Sequence, residues 1–261
     1  MQARNTAINI LEADGPGVGA ITAVGIYRDT IPASAWRRPT PYLSAAVRRA
    51  FSWRYAVAKR TIDILLSSFL IVLFFPVMLA VAIAVALTSP GPIFFSQERL
   101  GRFGAPFRII KFRSMYAQKH KDNVFEINGH RRSEADHRNE AAYPLNKDTP
   151  DPRITPVGRI IRKLSLDELP QLFNVLLGDM SLVGPRPIVE AEVPLYGQQF
   201  AYYDLFRPGI TGLWQVSGRS DVTFDRRVMF DREYASGWSC LLDFKILTMT
   251  VPAVVTMRGA Y

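Results

Sequence analysis

The stretch ILLSSFLIVLFFPVMLAVAIAVAL, residues 64–87, decides what kind of fold this chain can form. None of its residues is charged, and its length is that of a helix embedded in a bilayer. Pro76 stands near its centre. As one straight helix the run would be about 36 Å long, whereas each half would be about 18 Å long and reach one leaflet. The sequence therefore predicts a membrane helix that either spans with a kink or bends at Pro76 and returns.

Basic residues flank this run on both sides, which bears on its topology. A spanning helix usually has its excess of basic residues on the cytoplasmic side alone. Pro76 removes one backbone hydrogen bond and clashes with the preceding turn, so it favours a bend. We therefore expect a re-entrant helix with both ends in the cytoplasm, while an ordinary kinked span stays open. The flanking basic residues are Arg49, Arg54, Lys59 and Arg60 before the run, and Arg99, Arg102, Arg108, Lys111 and Arg113 after it.

The overall charge is strongly positive, with 32 lysines and arginines against 23 acidic residues and a formal net charge of +9. Such a chain favours partners that carry phosphate, but charge alone does not choose among nucleotides, nucleic acid and anionic lipid. The long apolar run argues against a soluble nucleic-acid-binding protein, so nucleic acid is not an expected partner. Cys240 is the single cysteine, which excludes an internal disulfide and fits a reducing compartment.

Three parts are predicted along the chain. Residues 1–50 lack a sustained apolar period and are expected to form a flexible N-terminal extension. Residues 55–90 form the membrane helix, and residues 91–261 form a compact domain on the cytoplasmic face. Short apolar runs that alternate with basic residues and glycines at the start of this domain predict short strands.

Further patterns organise the compact domain. The polar segment at residues 117–150 holds all three histidines without a metal-ligand spacing, and it is predicted to be a solvated loop. Apolar residues at helical intervals predict a helix over residues 160–177 that ends at Gly178. Residues 240–255 predict a helix that lies either on the bilayer surface or in the core of the domain.

The densest chemical signal is the acidic pair Asp167 and Glu168. Ser165 and Glu168 match a capping box, which would make the acids ordinary residues of a helix start. Pro170 fits that interpretation poorly with Ser165 as the cap, because its missing amide would fall inside the helix. Two adjacent carboxylates preceded by Arg162 are also what phosphoryl chemistry uses, since one can attack phosphorus or hold Mg²⁺ with its neighbour. Both interpretations stay open at this point.

Three longer motifs, KFRSM at residues 111–115, SLDELPQLFNVLLGDMSLVGPRP at 165–187 and RPGITGLWQVSGR at 207–219, occur in this order. Together they resemble the signatures of the bacterial sugar transferase family, the monotopic polyprenyl-phosphate phosphoglycosyl transferases. The resemblance covers residues 55–261. It implies an α+β fold: a mostly helical compact catalytic domain with short strands, anchored by a proline-bent re-entrant helix and interfacial helices. The family often has Ser-Pro at the bend, where this chain has Phe75-Pro76.

The resemblance also implies roles for individual residues. Asp167 would be the nucleophile, Glu168 would complete the catalytic pair, and both would hold Mg²⁺. Lys111 and Arg162 would bind the phosphates of the donor. The implied donor contacts further along the chain are Arg186 and Arg219.

The implied reaction is transfer of a hexose-1-phosphate from a UDP-sugar to undecaprenyl phosphate, through a covalent aspartyl intermediate and with release of UMP. It would open the assembly of an exopolysaccharide or related glycan at the cytoplasmic face of the bacterial inner membrane. Galactose and glucose are the favoured sugars, although no residue identifies the sugar. A homo-oligomer is compatible with the sequence but not predicted by it. The alternative is a catalytically inactive membrane scaffold that binds partners of glycan assembly.

Overall fold

The computed structural model describes residues 41–116, 124–127, 130–133, 151, 153–218 and 222–255, and these form a mostly helical α+β fold. The helices are α1 Pro41–Ala50, α2 Arg60–Thr88, α3 Pro156–Lys163, α4 Gln171–Leu177, α5 Val193–Tyr196, α6 Phe200–Tyr203, α7 Leu213–Ser217, α8 Phe224–Gly237 and α9 Cys240–Val255. The strands are β1 Phe94–Leu100, β2 Pro106–Phe112, β3 Val124–Ile127, β4 His130–Ser133, β5 Ser181–Val183 and β6 Gly209–Thr211. The first two pairs of strands are antiparallel hairpins, and β5 and β6 are parallel.

The long apolar helix predicted from the sequence is confirmed. A π-helical turn, Arg54–Lys59, leads directly into α2, and the stretch Val57–Thr88 is long and apolar enough to cross a membrane. The helix continues through Pro76, so the structure does not support the predicted bend there. Its buried residues recur every three or four positions or at multiples of that spacing, which places one face of α2 against the rest of the protein. They are Asp63, Ser67, Met78, Val81 and Val85.

Both ends of α2 are bonded to the compact domain. Near its start, Arg60 donates to two carbonyls at the end of α4, at 2.6 and 2.8 Å, and Asp63 accepts a hydrogen bond from Ser181 at 3.0 Å. At its other end, Arg113 donates to the carbonyl of Ser89 at 2.6 Å. A guanidinium group suits this position because the last turn of a helix leaves carbonyls unpaired and carries partial negative charge. The helix therefore begins and ends on the same domain.

A buried polar network joins the start of α2 to the C-terminal helices. Lys59 Nζ donates to Asp243 Oδ2 at 2.7 Å and to the carbonyl of Val183 at 2.9 Å. The same carboxylate accepts from the hydroxyl of Tyr234 at 2.9 Å and the indole of Trp238 at 3.0 Å. Four donor bonds inside an apolar cluster fix α8, α9 and α2 relative to one another.

Three local predictions made from the sequence differ from the structure. Residues 41–50 form α1, which buries Ala46 and Ala50 in the core, where the sequence predicted the end of a flexible extension; residues 1–40 lie outside the described residues. The predicted helix over 160–177 is two helices with a break between them. The polar segment 117–150, predicted as a loop, contains the hairpin β3–β4, and the rest of the segment lies outside the described residues.

The C-terminal helix α9 is confirmed, and its burial is two-sided. Ile246 and Asp243 face the core, whereas Leu241, Phe244 and Val251 on the other face are exposed. Such a two-sided helix is compatible with both predicted placements, because it packs on the domain and still offers an apolar face to a bilayer.

Candidate active site

The acidic pair lies on a short turn between α3 and α4. Residues Leu166–Glu168 form one turn of 3₁₀ helix, and Ser165 before it adopts the left-handed conformation with φ 55°. Its side chain makes no capping hydrogen bond, and the next α-helix begins only after Pro170. The capping-box interpretation is therefore wrong. Left-handed backbone at a non-glycine residue costs on the order of 1–3 kcal/mol, and such positions cluster at functional sites.

Two basic residues reach this turn from different elements. Lys111, near the end of β2, places its Nζ atom 2.9 Å from Glu168 Oε1. Arg162, in the last turn of α3, acts electrostatically on Asp167, as Lys111 does. The Lys111 and Glu168 side chains are 27% and 38% exposed, so this pair is open to a ligand. The structure thus brings together four residues that the sequence singled out.

The pKa of Asp167 is raised to about 6. Burial of the carboxyl group is the largest cause and the charge of Glu168 the second, while Lys111 and Arg162 act in the opposite direction. Positive charge from Lys111 and Arg162 favours the ionised form, but burial and the charge of Glu168 outweigh it. A pKa of about 6 nevertheless leaves most of the group as carboxylate at neutral pH.

The acidic turn packs on an apolar cluster to which the long apolar helix α2 also contributes. Leu166 and Leu169 contact an apolar cluster formed by residues of α2, β2 and α3. The buried members of this cluster are Met78, Val81, Val85, Phe112 and Ile161. The acidic turn and the second half of α2 therefore contribute to the same apolar cluster.

Arg186, another of the predicted contact residues, has contacts in a different part of the domain. The guanidinium of Arg186 lies 5.6 Å from the ring centre of Trp214 and acts electrostatically on the buried Asp231. Burial raises the pKa of that carboxyl to about 7 despite the arginine. The structure thus gives Arg186 partners distinct from the acidic pair. Arg219 lies outside the described residues.

Two residues with clear structural roles near the site were missed. Arg113 belongs to KFRSM, but its guanidinium closes the end of α2 through the carbonyls of Ser89 and Pro90. Asn174 is buried in α4 and bonds to the backbone of β2. A sequence signal existed for the second, because asparagine is unfavourable inside a helix and here interrupts the apolar run LFNVLL.

The acidic pair has the ligand chemistry of a magnesium site. Mg²⁺ commonly takes one or two protein carboxylates and completes its octahedron with water and substrate phosphate oxygens. Asp167 and Glu168 supply two carboxylates on one turn. Within the described part of the chain no group of three or more His, Cys, Asp or Glu side chains is placed to bind a metal. Two carboxylates on one turn fit a metal that completes its coordination with water and substrate oxygens.

Comparison with known proteins identifies the family. The model for "Bacterial sugar transferase" matches residues 54–257. The chain belongs to this family. The match covers every part of the acidic site described above, and it covers α2 as well. In this sugar transferase, the motifs of the acidic site and the long apolar helix therefore both lie within the region that the family model matches.

Curated relatives of this sugar transferase have names that refer to exopolysaccharide production or to undecaprenyl-phosphate sugar-phosphate transfer. It is 43% identical over 207 residues to "Exopolysaccharide production protein ExoY" of Rhizobium meliloti, covering 78% of this chain and 88% of that protein. It is 39% identical to "UDP-glucose:undecaprenyl-phosphate glucose-1-phosphate transferase" of Caulobacter vibrioides, covering 78% and 72%. It is 45% identical to "Undecaprenyl-phosphate galactose phosphotransferase" of Salmonella typhimurium, but covers only 41% of that longer protein.

Proposed function

We propose that this sugar transferase moves a hexose-1-phosphate from a UDP-sugar to undecaprenyl phosphate and releases UMP. The observation that carries the proposal is the placement of Asp167 and Glu168, with Lys111 and Arg162 beside them, on a turn that packs on the same apolar cluster as the long apolar helix α2. The names of relatives 39% to 45% identical support the same reaction with glucose or galactose. The reaction would open exopolysaccharide or related glycan assembly at the cytoplasmic face of the bacterial inner membrane.

The chemistry proceeds in two displacements. An Asp167 carboxylate oxygen attacks the sugar-bearing phosphorus, the bond from that phosphorus to the bridging oxygen breaks, and UMP leaves with the electron pair. An oxygen of the lipid phosphate then attacks the same phosphorus and releases the carboxylate. Lys111 and Arg162 bring positive charge to the phosphates, because charge-assisted hydrogen bonds are among the stronger polar contacts in proteins. Mg²⁺ held by Asp167 and Glu168 would add positive charge opposite the diphosphate.

The test is an assay of the purified protein in detergent with Mg²⁺, undecaprenyl phosphate and a panel of UDP-sugars. Release of UMP with UDP-glucose or UDP-galactose is expected, together with a lipid product that carries the sugar phosphate. An inactive scaffold, the second candidate, would release no UMP with any donor. The panel also identifies the sugar.

The pH dependence of kcat/KM should report the titration of Asp167. Only the ionised carboxylate attacks, so activity should fall as the pH drops through about 6, the pKa to which this group is raised. Arg162 opposes that shift, so Arg162→Ala should move the acidic limb to higher pH and lower the rate about tenfold to a hundredfold. Lys163→Ala is the matched control, because this exposed neighbour is not among the groups that act on Asp167. Identical pH profiles in all three proteins would remove Arg162 from the site.

We also propose that α2 does not cross the membrane, because its two ends are bonded to one domain. A bend at Pro76 or a shallow position in the bilayer would satisfy this condition. Cysteines introduced at the exposed positions Arg48 and Asp225, in a Cys240→Ser background, test it. An impermeant maleimide should label both in inverted inner-membrane vesicles and neither in right-side-out vesicles. Labelling of the two positions from opposite sides would show that the helix spans.

A further inference from the structure

Asn174 occupies an unusual place for a polar side chain. It lies in the middle of α4, is 1% exposed, and is surrounded in sequence by apolar residues. Its Oδ1 atom accepts a hydrogen bond from the backbone amide of Ile110 at 3.1 Å, and its Nδ2 atom donates to the carbonyl of Arg108 at 2.8 Å. These two partners belong to β2, the strand that carries Lys111, and a third, longer bond of 3.5 Å runs from Nδ2 to Asp179 Oδ2.

The side-chain amide of Asn174 bonds to β2 as the backbone of a neighbouring strand would. One edge of β2 pairs with β1, and the groups bonded to Asn174 lie on the other edge. An amide offers one acceptor and two donor hydrogens, so it can satisfy an amide and a carbonyl two residues apart on a strand. Without the Asn174 side chain, the Ile110 amide and the Arg108 carbonyl would lose their hydrogen-bond partners. This edge of β2 would then be free to shift.

The register of β2 decides where Lys111 points. Phe107 and Ile109 face the core, and Lys111 continues the same face because side chains alternate along a strand. A slip of one residue would turn Lys111 to the opposite face, away from Glu168. The hydrogen bond between the Ile110 amide and Asn174 therefore holds the residue immediately before Lys111.

We propose that Asn174 is a positioning residue for the transfer reaction, which holds β2 so that Lys111 Nζ stays 2.9 Å from Glu168. It acts without touching substrate. The helix that carries Asn174 begins three positions after Glu168, so both partners of the ion pair are tied to the same element. The inference rests on the proposed function, since Lys111 is assigned there to the donor phosphates.

A double-mutant cycle tests the inference, with UMP release from the UDP-hexose that the wild-type protein uses. Asn174→Ala should lower kcat/KM about tenfold, and the loss should divide between kcat and the KM for the UDP-hexose as it does in Lys111→Ala. In the Lys111→Ala background, Asn174→Ala should cost less than about twofold, because the residue through which it acts is already gone. Independent, multiplicative losses would overturn the positioning role. An inactive wild-type protein would instead overturn the proposed function.

A matched control separates positioning from general stability. Tyr203 is also fully buried, and its hydroxyl donates to the carbonyl of Leu100 at 2.7 Å and accepts from the amide of Ile188 at 3.2 Å. Tyr203→Phe therefore removes two similar bonds at the far end of the same hairpin. It should lower the melting temperature while leaving kcat and KM, measured well below that temperature, near their wild-type values. If Asn174→Ala does not fold, Asn174→Ser enters the same cycle; an equal loss of kcat/KM in Tyr203→Phe would overturn the proposal.

Discussion

Asp167→Asn is expected to abolish transfer, with a fall in kcat on the order of 10⁴-fold or more, as for loss of a nucleophile in covalent catalysis. The amide nearly matches the carboxylate in shape but lacks its charge and cannot form an acyl phosphate by the same route. The wild-type protein incubated with UDP-sugar and no lipid should carry stoichiometric sugar phosphate on the peptide that contains Asp167. The variant should carry none. Asp225→Asn, at an exposed position in the first turn of α8, is the control and should behave as wild type.

The competing mechanism makes a different prediction for the same measurement. If the lipid phosphate attacked the donor directly, and Asp167 served only in metal binding, UMP would still be released, so the nucleotide product does not separate the two routes. A rapid quench that showed no adduct on the wild-type protein while transfer to lipid proceeded at its normal rate would contradict the covalent route. Such a result would leave the proposed overall reaction intact.

Asp243→Ala should be the most destabilising single substitution in the network that joins α2 to α8 and α9. It would leave Lys59 as a buried charge without its closest carboxylate, and it would remove the acceptor of Trp238 and one of the two acceptors of Tyr234. Removing one partner of a buried ion pair costs about 3–5 kcal/mol, far more than the pair itself contributes when intact. Chemical unfolding of the protein in detergent, followed by circular dichroism, measures the change in the free energy of unfolding.

The chain offers a matched control for that measurement. Arg226 and Glu233 form an ion pair at 3.6 Å whose side chains are 54% and 47% exposed. Glu233→Ala should cost less than about 1 kcal/mol, because an exposed pair is screened by water. Asp243→Leu combined with Lys59→Met should recover part of the lost stability, since neither charge of this pair would then be buried alone, although the buried Asp63 remains. Equal losses in Asp243→Ala and Glu233→Ala would contradict the assigned role of the network.

Several features could be predicted from sequence because they depend on neighbouring residues. The apolar helix follows from an uncharged run, and the end of α4 follows from Gly178, whose φ of 101° suits glycine. Asp167, Glu168 and the motifs around them also lie within short segments, so they can be recognised from neighbouring residues alone. Residues 41–50 escaped prediction because the apolar face of α1 is short, and its helix is stabilised by packing against the core rather than by its own sequence.

By itself, then, the sequence determined the membrane helix, the family motifs and the acidic residues, because composition and local spacing are properties of the chain. Only the tertiary structure decided which basic residues meet those acids: Lys111 lies 57 positions from Glu168, and Arg186 is directed to Trp214 instead. The raised pKa of Asp167 was likewise beyond local reasoning, since it arises first from burial. Desolvation and contact between distant segments exist only once the chain has brought its surfaces together.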